Sequence, residues 1–395
     1  GTFAADNITS FDIDAGADGT SFTITAFDIA ETVGNITITA NENFNIDTGI
    51  AVATSVGNVT IVATDTFDIG DTGNFIDTAT TVGNISITAS GSGDGVHVGE
   101  LDEATTVGNI TVVANDDVNM DGADAATTIG NIDVTVAVGK TFDTPDTAFG
   151  AASSTVGTIT GSGGGTFNLT IGAATSVGDV DLSAMTSAST TAITLSNTTT
   201  QGVTATLGSG ADTFVGTGGA DNITTGLGAD VITGGGGDDV IDLAEAAGSR
   251  SVDHINLSLV AANGTDVITG FTFGTGGDEL DVELLAAGDL ASEVARDSTA
   301  AALALTDATQ TVVVFTDGAS AVSGGSDVIA DYTDLTDVLA WLNTQLTVSS
   351  ADDDGVAIIN DLVTDKAYVY NMDIDATADS SVDSITLVAT LTANN

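Results

Sequence analysis

The chain of 395 residues contains no cysteine, one proline and only four basic residues. The absence of cysteine excludes disulfide bonds, so stabilisation beyond core packing has to come from repeat stacking or from bound metal. No segment approaches the roughly 18–20 consecutive apolar residues that a membrane-spanning helix requires, so membrane insertion is not expected. The only two histidines are His97 and His254. We expect His97 to lie in a glycine-rich loop with no acid–base partner and His254 to be within reach of a carboxylate, both as surface residues.

The shortage of basic residues leaves a large charge imbalance. Lys and Arg total 4 and Asp and Glu total 56, which gives a formal net charge of −52. Such an imbalance first suggests disorder. However, hydrophobic residues make up 42% of the chain and recur with a short period, which predicts a folded protein instead. Because a folded chain this acidic repels itself unless cations neutralise it, we expect divalent cations as partners and no nucleic acid.

A ten-residue pattern recurs through the first two hundred residues. Alternation such as Ile36-Thr37-Ile38-Thr39 predicts a strand with one apolar face, and Phe44-Asn45-Ile46 predicts a second strand. The repeated glycines lie 21 to 27 residues apart, a length that suits one coil of a parallel β-solenoid. The copies are ETVGNITITA (31–40), TSVGNVTIVA (54–63), TTVGNISITA (80–89), TTVGNITVVA (105–114), TTIGNIDVTV (127–136), STVGTITGSG (154–163) and TSVGDVDLSA (175–184).

The asparagine that follows the glycine in five copies has two interpretations. It can form an internal ladder, in which each side chain hydrogen-bonds the copies above and below it. Alternatively, the Gly-Asn pair simply makes a turn. The strand-like residues on both sides favour the ladder. Its members would be Asn35, Asn58, Asn84, Asn109 and Asn131.

Four consecutive nine-residue copies occupy residues 207–242: LGSGADTFV, GTGGADNIT, TGLGADVIT and GGGGDDVID. Each copy has glycine in its first half, aspartate at the sixth position and a large apolar residue at the eighth, the pattern of calcium-binding nonapeptide repeats. Four copies in unbroken register make a specific signal. The predicted calcium-site residues are Gly210, Asp212, Gly219, Asp221, Gly228, Asp230, Gly237, Asp239 and Asp242.

The chemistry of Ca²⁺ explains the spacing, because this ion takes six to eight oxygen ligands. Glycine turns can direct main-chain carbonyls at the ion, and each aspartate adds a charged ligand. Two nonapeptides complete one coil, so turns eighteen residues apart lie on the same side. We therefore expect Asp212 to share an ion with the turn of Asp230, and Asp221 with that of Asp239. Ion binding then contributes directly to folding.

These residues resemble the RTX (repeats-in-toxin) proteins, and the whole chain is similar to RTX-type surface-layer proteins of Gram-negative bacteria. Residues 266–271 (DVITGF) and 277–281 (GDELD) are similar to the segment that follows the repeats in that family. The resemblance implies Asp266, Asp278 and Asp281 as further calcium ligands. Residues 364–390 look like the family's C-terminal strand module, although Ala389 stands where that pattern has glycine.

The same resemblance implies an uncleaved C-terminal signal for type I secretion, and therefore a secreted or cell-surface protein. This agrees with the N-terminal residues, which contain no basic segment followed by an apolar one, as a cleaved signal peptide would. The chain begins at Gly1, so we expect a processed or truncated product.

Two features of the C-terminal part are predicted from residue spacing. Apolar residues recur at helical spacing from Leu335 to Leu346 and predict a helix there, with Thr333 or Asp334 as its N-cap. The alanine-rich stretch 284–304 predicts a second helix. Asp373 and Asp375, with Asp379, suggest a loop-type calcium site, although solvated turn acids are the alternative interpretation.

These predictions define an all-β protein: a parallel β-solenoid (1–200), a calcium-bound RTX β-roll (201–250), and a mostly-β C-terminal module (251–395) with one or two helices and the secretion signal. An HExxH zinc site and a GxSxG nucleophile elbow are both absent, so we do not expect an enzyme. Two functions remain open: calcium-dependent self-assembly into a surface layer, lattice or filament, or the stalk of an adhesin in attachment or biofilm formation. Expected partners are calcium ions, copies of the same chain and, as a further candidate, a cell-surface polysaccharide.

Overall fold

The computed structural model describes most of the chain up to residue 283 and separate segments after it. The described residues are 2–15, 22–24, 26–41, 43–46, 50–52, 54–76, 79–91, 95–101, 103–144, 149–150, 154–172, 174–186, 188–195, 201–243, 245–246, 249–258, 263–273, 276–283, 293–296, 303–305, 311–315, 332–348, 355–361, 364–373 and 381–393.

Two parallel sheets wind through the first 283 residues, as the alternating sequence predicts. Between Ser55 and Leu195, each coil supplies a two-residue strand, a step that begins with glycine, and a strand of five or six residues to the first sheet, and then one strand to the second sheet. The strands before residue 200 are β1 (Thr2–Ala15), β2 (Phe22–Ile24), β3 (Ala26–Ala40), β4 (Phe44–Ile46), β5 (Ile50–Val52), β6 (Ser55–Val56), β7 (Val59–Ala63), β8 (Phe67–Asn74), β9 (Thr81–Val82), β10 (Ile85–Ala89), β11 (Val96–Glu100), β12 (Thr106–Val107), β13 (Ile110–Ala114), β14 (Val118–Met120), β15 (Thr128–Ile129), β16 (Ile132–Val136), β17 (Thr141–Asp143), β18 (Thr155–Val156), β19 (Ile159–Gly163), β20 (Thr166–Ile171), β21 (Ser176–Val177), β22 (Val180–Met185) and β23 (Thr190–Leu195).

From β3 to β19 the register of the repeats is constant although the coils differ in length. Ile85 lies opposite Val59 on one side and Ile110 on the other, and Ile110 in turn lies opposite Ile132. The segments between the strands therefore absorb the variation from 22 to 27 residues. Inward side chains stack into one continuous apolar core, in which Phe44 and Phe67 lie face to face with ring centroids 5.4 Å apart. The predicted all-β parallel solenoid is confirmed.

The asparagine ladder forms on the outside of the solenoid, so its predicted internal position is wrong. Val33 and Ile36 are both buried, which leaves Asn35 pointing outward. Each Asn Oδ1 accepts a hydrogen bond from the backbone N–H of the next copy, as in Asn84 N–H to Asn58 Oδ1 at 3.0 Å. A Cβ on the preceding Gly83 would lie 2.7 Å from that same Oδ1. In each Gly-Asn pair the glycine thus allows the close approach of neighbouring coils, and the asparagine makes the hydrogen bond between them.

Both sheets continue without a break into the nonapeptide segment. In the first sheet, strands on either side of residue 200 pair as β22 with β24, and in the second sheet as β23 with β25. The pairs β27–β29 and β28–β30 then cross residue 250. The division of the chain at 200 and 250 stays a prediction, since pairing is continuous across both positions. These strands are β24 (Thr204–Thr206), β25 (Ala211–Val215), β26 (Asn222–Thr224), β27 (Val231–Thr233), β28 (Val240–Asp242), β29 (His254–Ser258), β30 (Asp266–Phe271) and β31 (Glu279–Glu283).

The C-terminal strand returns to the solenoid. It runs parallel to β30, with Ala389 opposite Asp266, and it also joins an antiparallel pair that extends the first sheet. The remaining elements are β32 (Glu293–Arg296), β33 (Leu303–Leu305), β34 (Thr311–Phe315), α1 (Leu335–Gln345), β35 (Leu346–Val348), β36 (Gly355–Asp361), β37 (Lys366–Asp373) and β38 (Ser384–Ala393).

The helix predicted from Leu335 is confirmed as α1. Asp334 is its N-cap, and the side chain of Asp334 accepts a hydrogen bond from Thr336 N–H at 3.0 Å. Trp341 on its buried face packs edge-on against Phe315, with ring centroids 4.8 Å apart. The helix predicted within 284–304 is wrong for the residues described there, because β32 and β33 pair with β34 and β35. Pairing with neighbouring strands overrides the helical propensity of alanine.

No helix among the described residues is both long and apolar enough to cross a membrane.

Candidate calcium-binding site

Seven aspartates form two rows along the C-terminal part of the solenoid. Each aspartate ends a turn, and the apolar residue two positions later is the first residue of the following strand whose side chain points into the core. Burial follows from this placement, and six of the seven are at most 2% exposed. Row one consists of Asp212, Asp230, Asp253 and Asp278, and row two of Asp221, Asp239 and Asp266.

Hydrogen bonds connect the members of row one from coil to coil. The backbone N–H of Asp212 donates to Asp230 Oδ1 at 2.8 Å, and that of Asp230 donates to Asp253 Oδ1 at 2.9 Å. The N–H of Asp253 donates to Asp278 Oδ1 at 3.0 Å. Thr191 occupies the same place in the preceding coil, where its hydroxyl donates to Asp212 Oδ1 at 2.8 Å.

Row two has the same arrangement on the other side of the coil. The N–H of Asp221 donates to Asp239 Oδ1 at 2.8 Å, and the N–H of Asp239 donates to Asp266 Oδ1 at 3.0 Å. The residue pairs predicted to share an ion, Asp212 with Asp230 and Asp221 with Asp239, are therefore direct neighbours. Shared ion binding itself stays a prediction.

Glycine is required where consecutive turns approach each other. Gly228 has φ = +119°, and a Cβ there would lie 1.9 Å from the carbonyl oxygen of Gly210. Gly237 has φ = +102°, and a Cβ there would lie 2.7 Å from the backbone of Gly219. Main-chain oxygens are thus stacked beside the aspartate rows, within the turns that carry the carboxylates.

Two carboxylate oxygens in the middle of the rows have no hydrogen-bond partner. Asp230 Oδ2 and Asp239 Oδ2 are both buried and unpaired. The corresponding oxygens one coil earlier are satisfied: Asp212 Oδ2 accepts from Gly208 N–H at 3.0 Å, and Asp221 Oδ2 from Thr217 N–H at 2.6 Å. A buried carboxylate oxygen without a donor is costly unless a cation binds it. An all-oxygen environment fits Ca²⁺.

The pKa values of these carboxyls lie far above their ordinary range. Burial, the largest cause, raises the pKa of Asp230 to about 9, and the charges of Asp212, Asp253 and Glu245 add to it. Burial likewise raises the pKa of Asp239 to about 8, with the charges of Asp266, Asp221 and Asp238 adding to it. In both cases a backbone hydrogen bond opposes the rise. A divalent cation would remove this penalty, because it stabilises the charged form.

No group of three or more Asp, Glu, His or Cys side chains among the described residues converges by itself on one metal position. This is consistent with sites in which two aspartates from neighbouring coils act together with main-chain carbonyls. Calcium accepts such mixed oxygen ligands readily, since its coordination is flexible.

Four of the predicted site aspartates, Asp242, Asp281, Asp373 and Asp375, lie outside the two rows or outside the described residues. Asp242 Oδ1 accepts a hydrogen bond from Thr269 Oγ1 at 3.0 Å, and Asp281 is an exposed residue of β31 opposite Asn256. Asp373 ends β37 and accepts from Ser384 Oγ at 3.2 Å. The loop with Asp375 and Asp379 lies outside the described residues.

Sequence reasoning missed Asp253 and Glu245. The turn before Asp253 is longer than a nonapeptide, so a search for a nine-residue period stops at Asp242. One signal was available: Asp253-His-Ile255 keeps the offset of two between aspartate and apolar residue that Asp230-Val-Ile232 shows. Asp253 is 1% exposed and Glu245 is 7% exposed.

The expectation that His97 lies in a loop without an acid–base partner is wrong. His97 lies in β11, where Nδ1 is 2.9 Å from Asp68 Oδ1 and Nε2 is 3.3 Å from Asp121 Oδ2. Burial lowers the pKa of His97, but the hydrogen bond to Asp68 and the charge of Asp121 outweigh it and raise the pKa above its usual value. His254 does contact a carboxylate, with Nδ1 3.3 Å from Glu279 Oε2.

Comparison with known families identifies the segment that holds most of the two rows. Residues 206–241 match the RTX calcium-binding nonapeptide repeat, in four copies. The fold and this segment together define a calcium-binding repeat protein. It carries RTX repeats built into a parallel β-solenoid, and its cofactor is Ca²⁺. No curated protein and no solved structure matches the chain.

Proposed function

We propose that this chain is an extracellular, non-enzymatic structural protein that assembles with copies of itself, in a calcium-dependent manner, into a surface layer or a related lattice or filament. The observation that carries the proposal is the continuity of both sheets from the repeat solenoid into the calcium turns. Ion binding at the aspartate rows then stabilises one end of a single stack of coils, because each coil is stabilised by its neighbours.

The calcium sites that we propose use the aspartates of both rows. The unpaired oxygens of Asp230 and Asp239 support this choice, as do the glycine turns that bring main-chain oxygens beside them. Asp242, Asp281 and Asp373 have weaker support, since each lies apart from the rows.

The surface charge supports calcium-dependent contact between copies. Outward positions of the first sheet carry polar side chains such as Thr111 and Asp133, and Thr160 Oγ1 donates to Asp133 Oδ1 at 2.8 Å. With a formal charge of −52, copies repel one another at contact distances unless cations lie between them. At physiological ionic strength monovalent salt screens charges beyond about 8 Å, so close contacts need bound cations.

Secretion is part of the proposal. Proteins with RTX repeats are typically secreted, and we propose that the C-terminal module carries the type I secretion signal. A cell-surface polysaccharide is a further proposed partner that would anchor the layer.

Electron microscopy of the purified full chain tests the assembly. Negative-stain images in millimolar calcium should contain ordered sheets or filaments that disperse on addition of EGTA and return when calcium is restored. Magnesium serves as the matched control, because it demands a smaller octahedral site and keeps its waters.

Dispersed rods at every calcium concentration would overturn the assembly proposal and would favour the second function, the stalk of an adhesin. Ordered assemblies that persist in EGTA would overturn the role of calcium in assembly.

A further inference from the structure

The connection from β28 to β29 lies between Asp230 and Asp253 of row one and is longer than a nonapeptide turn. Glu245 is one of its described residues. The two carboxylate oxygens of Glu245 accept hydrogen bonds from Gly228 N–H at 3.1 Å and from Ser251 N–H at 2.5 Å. Gly228 and Ser251 each precede a row-one aspartate by two residues. Glu245 therefore connects the turn of Asp230 to the turn of Asp253.

Three carboxylates thus lie close together in a buried environment. Asp230 is 0% exposed, Asp253 1% and Glu245 7%. The charges of Glu245 and Asp253 both act on Asp230, whose Oδ2 has no hydrogen-bond partner. The one basic residue in this turn, Arg250, is exposed and takes part in none of the described ion pairs. Among the described residues no Lys or Arg forms an ion pair with these three carboxylates, and His254 is the one basic side chain whose charge acts on Asp253.

Row two ends differently. The carboxylate of Asp266 is fully engaged, since Oδ1 accepts from Asp239 N–H at 3.0 Å and Oδ2 from Asn263 Nδ2 at 3.0 Å. A neutral amide thus occupies the place next to Asp266. In row one, a buried carboxylate, that of Glu245, lies beside the turns of Asp230 and Asp253.

We propose that Glu245 joins Asp230 and Asp253 in holding one calcium ion, at the C-terminal limit of the nonapeptide segment that matches the RTX family. The inference rests on the proposed calcium sites and adds a third carboxylate to one of them. Main-chain oxygens of the flanking turns complete the coordination, because the side chains alone do not converge on one position. With three carboxylates in place of the two that a repeat pair supplies, this site should bind calcium more tightly than the others, since affinity rises with the charge of the ligands.

Calcium titration of the full chain by isothermal calorimetry tests the site with two variants. Asp253→Asn keeps an oxygen that can accept the Asp230 N–H and removes the charge and the second oxygen, whereas Glu245→Gln removes the charge and one of the two hydrogen bonds that Glu245 accepts. Each variant should lose one tightly bound calcium ion per chain, and the double variant should also lose one, because both residues bind the same ion. Glu103→Gln, an exposed glutamate far from the rows, should titrate like the wild type.

The outcomes separate this inference from the proposed function. Unchanged stoichiometry and affinity in both single variants, with normal binding by the wild type, would overturn the three-carboxylate site and leave the other sites intact. Loss of two ions in the double variant would overturn the shared site. No calcium uptake by the wild type would overturn the proposed function itself. Circular dichroism in EGTA detects a general folding defect, which would lower stability without calcium as well as with it.

Discussion

Replacing Asp230 by asparagine should separate calcium binding from the other contributions to stability. The amide oxygen of the introduced side chain can still accept the hydrogen bond that Asp212 N–H makes to Oδ1. What the variant lacks is the negative charge and the second oxygen, the Oδ2 that has no partner within the protein. In metal-free protein near neutral pH, Asp230 holds its proton because its pKa is about 9. Without calcium, the Asp230→Asn variant should therefore unfold at nearly the wild-type temperature.

With calcium the two proteins should differ. At a calcium concentration one hundred times its Kd, one ion adds about 2.7 kcal/mol to the free energy of unfolding. The unfolding entropy of a 395-residue chain is about 0.8 kcal/mol per degree if the chain unfolds as one unit. Loss of one ion should therefore lower the unfolding temperature by about 3 °C. If the calcium end unfolds separately, the shift for that transition is larger.

Differential scanning calorimetry in calcium and in EGTA measures both quantities. Asp124→Asn is the matched control, because it makes the same chemical change at an exposed aspartate that belongs to neither row and to no predicted calcium site. It should leave the unfolding temperature unchanged in both conditions. An equal decrease for Asp230→Asn with and without calcium would refute the assignment of Asp230 as a calcium ligand.

Three further predictions concern pH, the histidine bridge and the glycine turns. In metal-free protein the free energy of unfolding should fall as the pH rises from about 4 to about 9. Unfolded aspartates lose their protons near pH 3.8, whereas the folded protein holds them up to about pH 6 in Asp253 and Asp266 and about pH 9 in Asp230. Denaturant titration measures this free energy, and a rise over the same pH range would contradict the prediction. The raised pKa of His97 stabilises the fold fully below pH 6.5, and this stabilisation is lost as the pH rises through the pKa of His97 in the folded protein. His97→Gln should therefore destabilise the protein more at pH 5.5 than at pH 9, whereas His254→Gln, at an exposed pair, should have little effect at either pH. A pH-independent effect of His97→Gln would exclude the ionic contacts of His97 with Asp68 and Asp121. Gly228→Ala should lower the free energy of unfolding by more than about 3 kcal/mol, because the added Cβ would collide with Gly210. Gly139→Ala should lower it by about 1–2 kcal/mol, because Gly139 also has positive φ but has open space around it. Denaturant titration compares the two losses, and equal values would show that φ alone determines both.

Periodic features of the fold could be predicted from the sequence, because a parallel stack repeats one local pattern. The alternation of Ile36 and Ile38 with threonines fixes which side chains face the core, and the offset from Asp230 to Ile232 fixes where a turn ends. The outward position of Asn35 also follows from this pattern, since its neighbour Ile36 points inward. The prediction of an internal ladder failed because it ignored that neighbour.

Contacts between coils of unequal length could not be predicted. The bridge from Asp68 through His97 to Asp121 joins three coils whose lengths differ, so no fixed spacing marks it. Glu245 reaches Gly228 from a turn with no repeat pattern. The C-terminal strand pairs with β30 from more than one hundred residues away, and its sequence carries no signal for that partner.

From β3 to β19 the strands keep one register although the coils vary from 22 to 27 residues, and this has a consequence for change along this chain. Residues gained or lost between two strands alter only the edge of the stack and leave the inward layers of Val and Ile aligned. Natural insertions, or peptides added by protein engineering, can therefore be displayed at regular steps of about 4.8 Å along one side of the molecule.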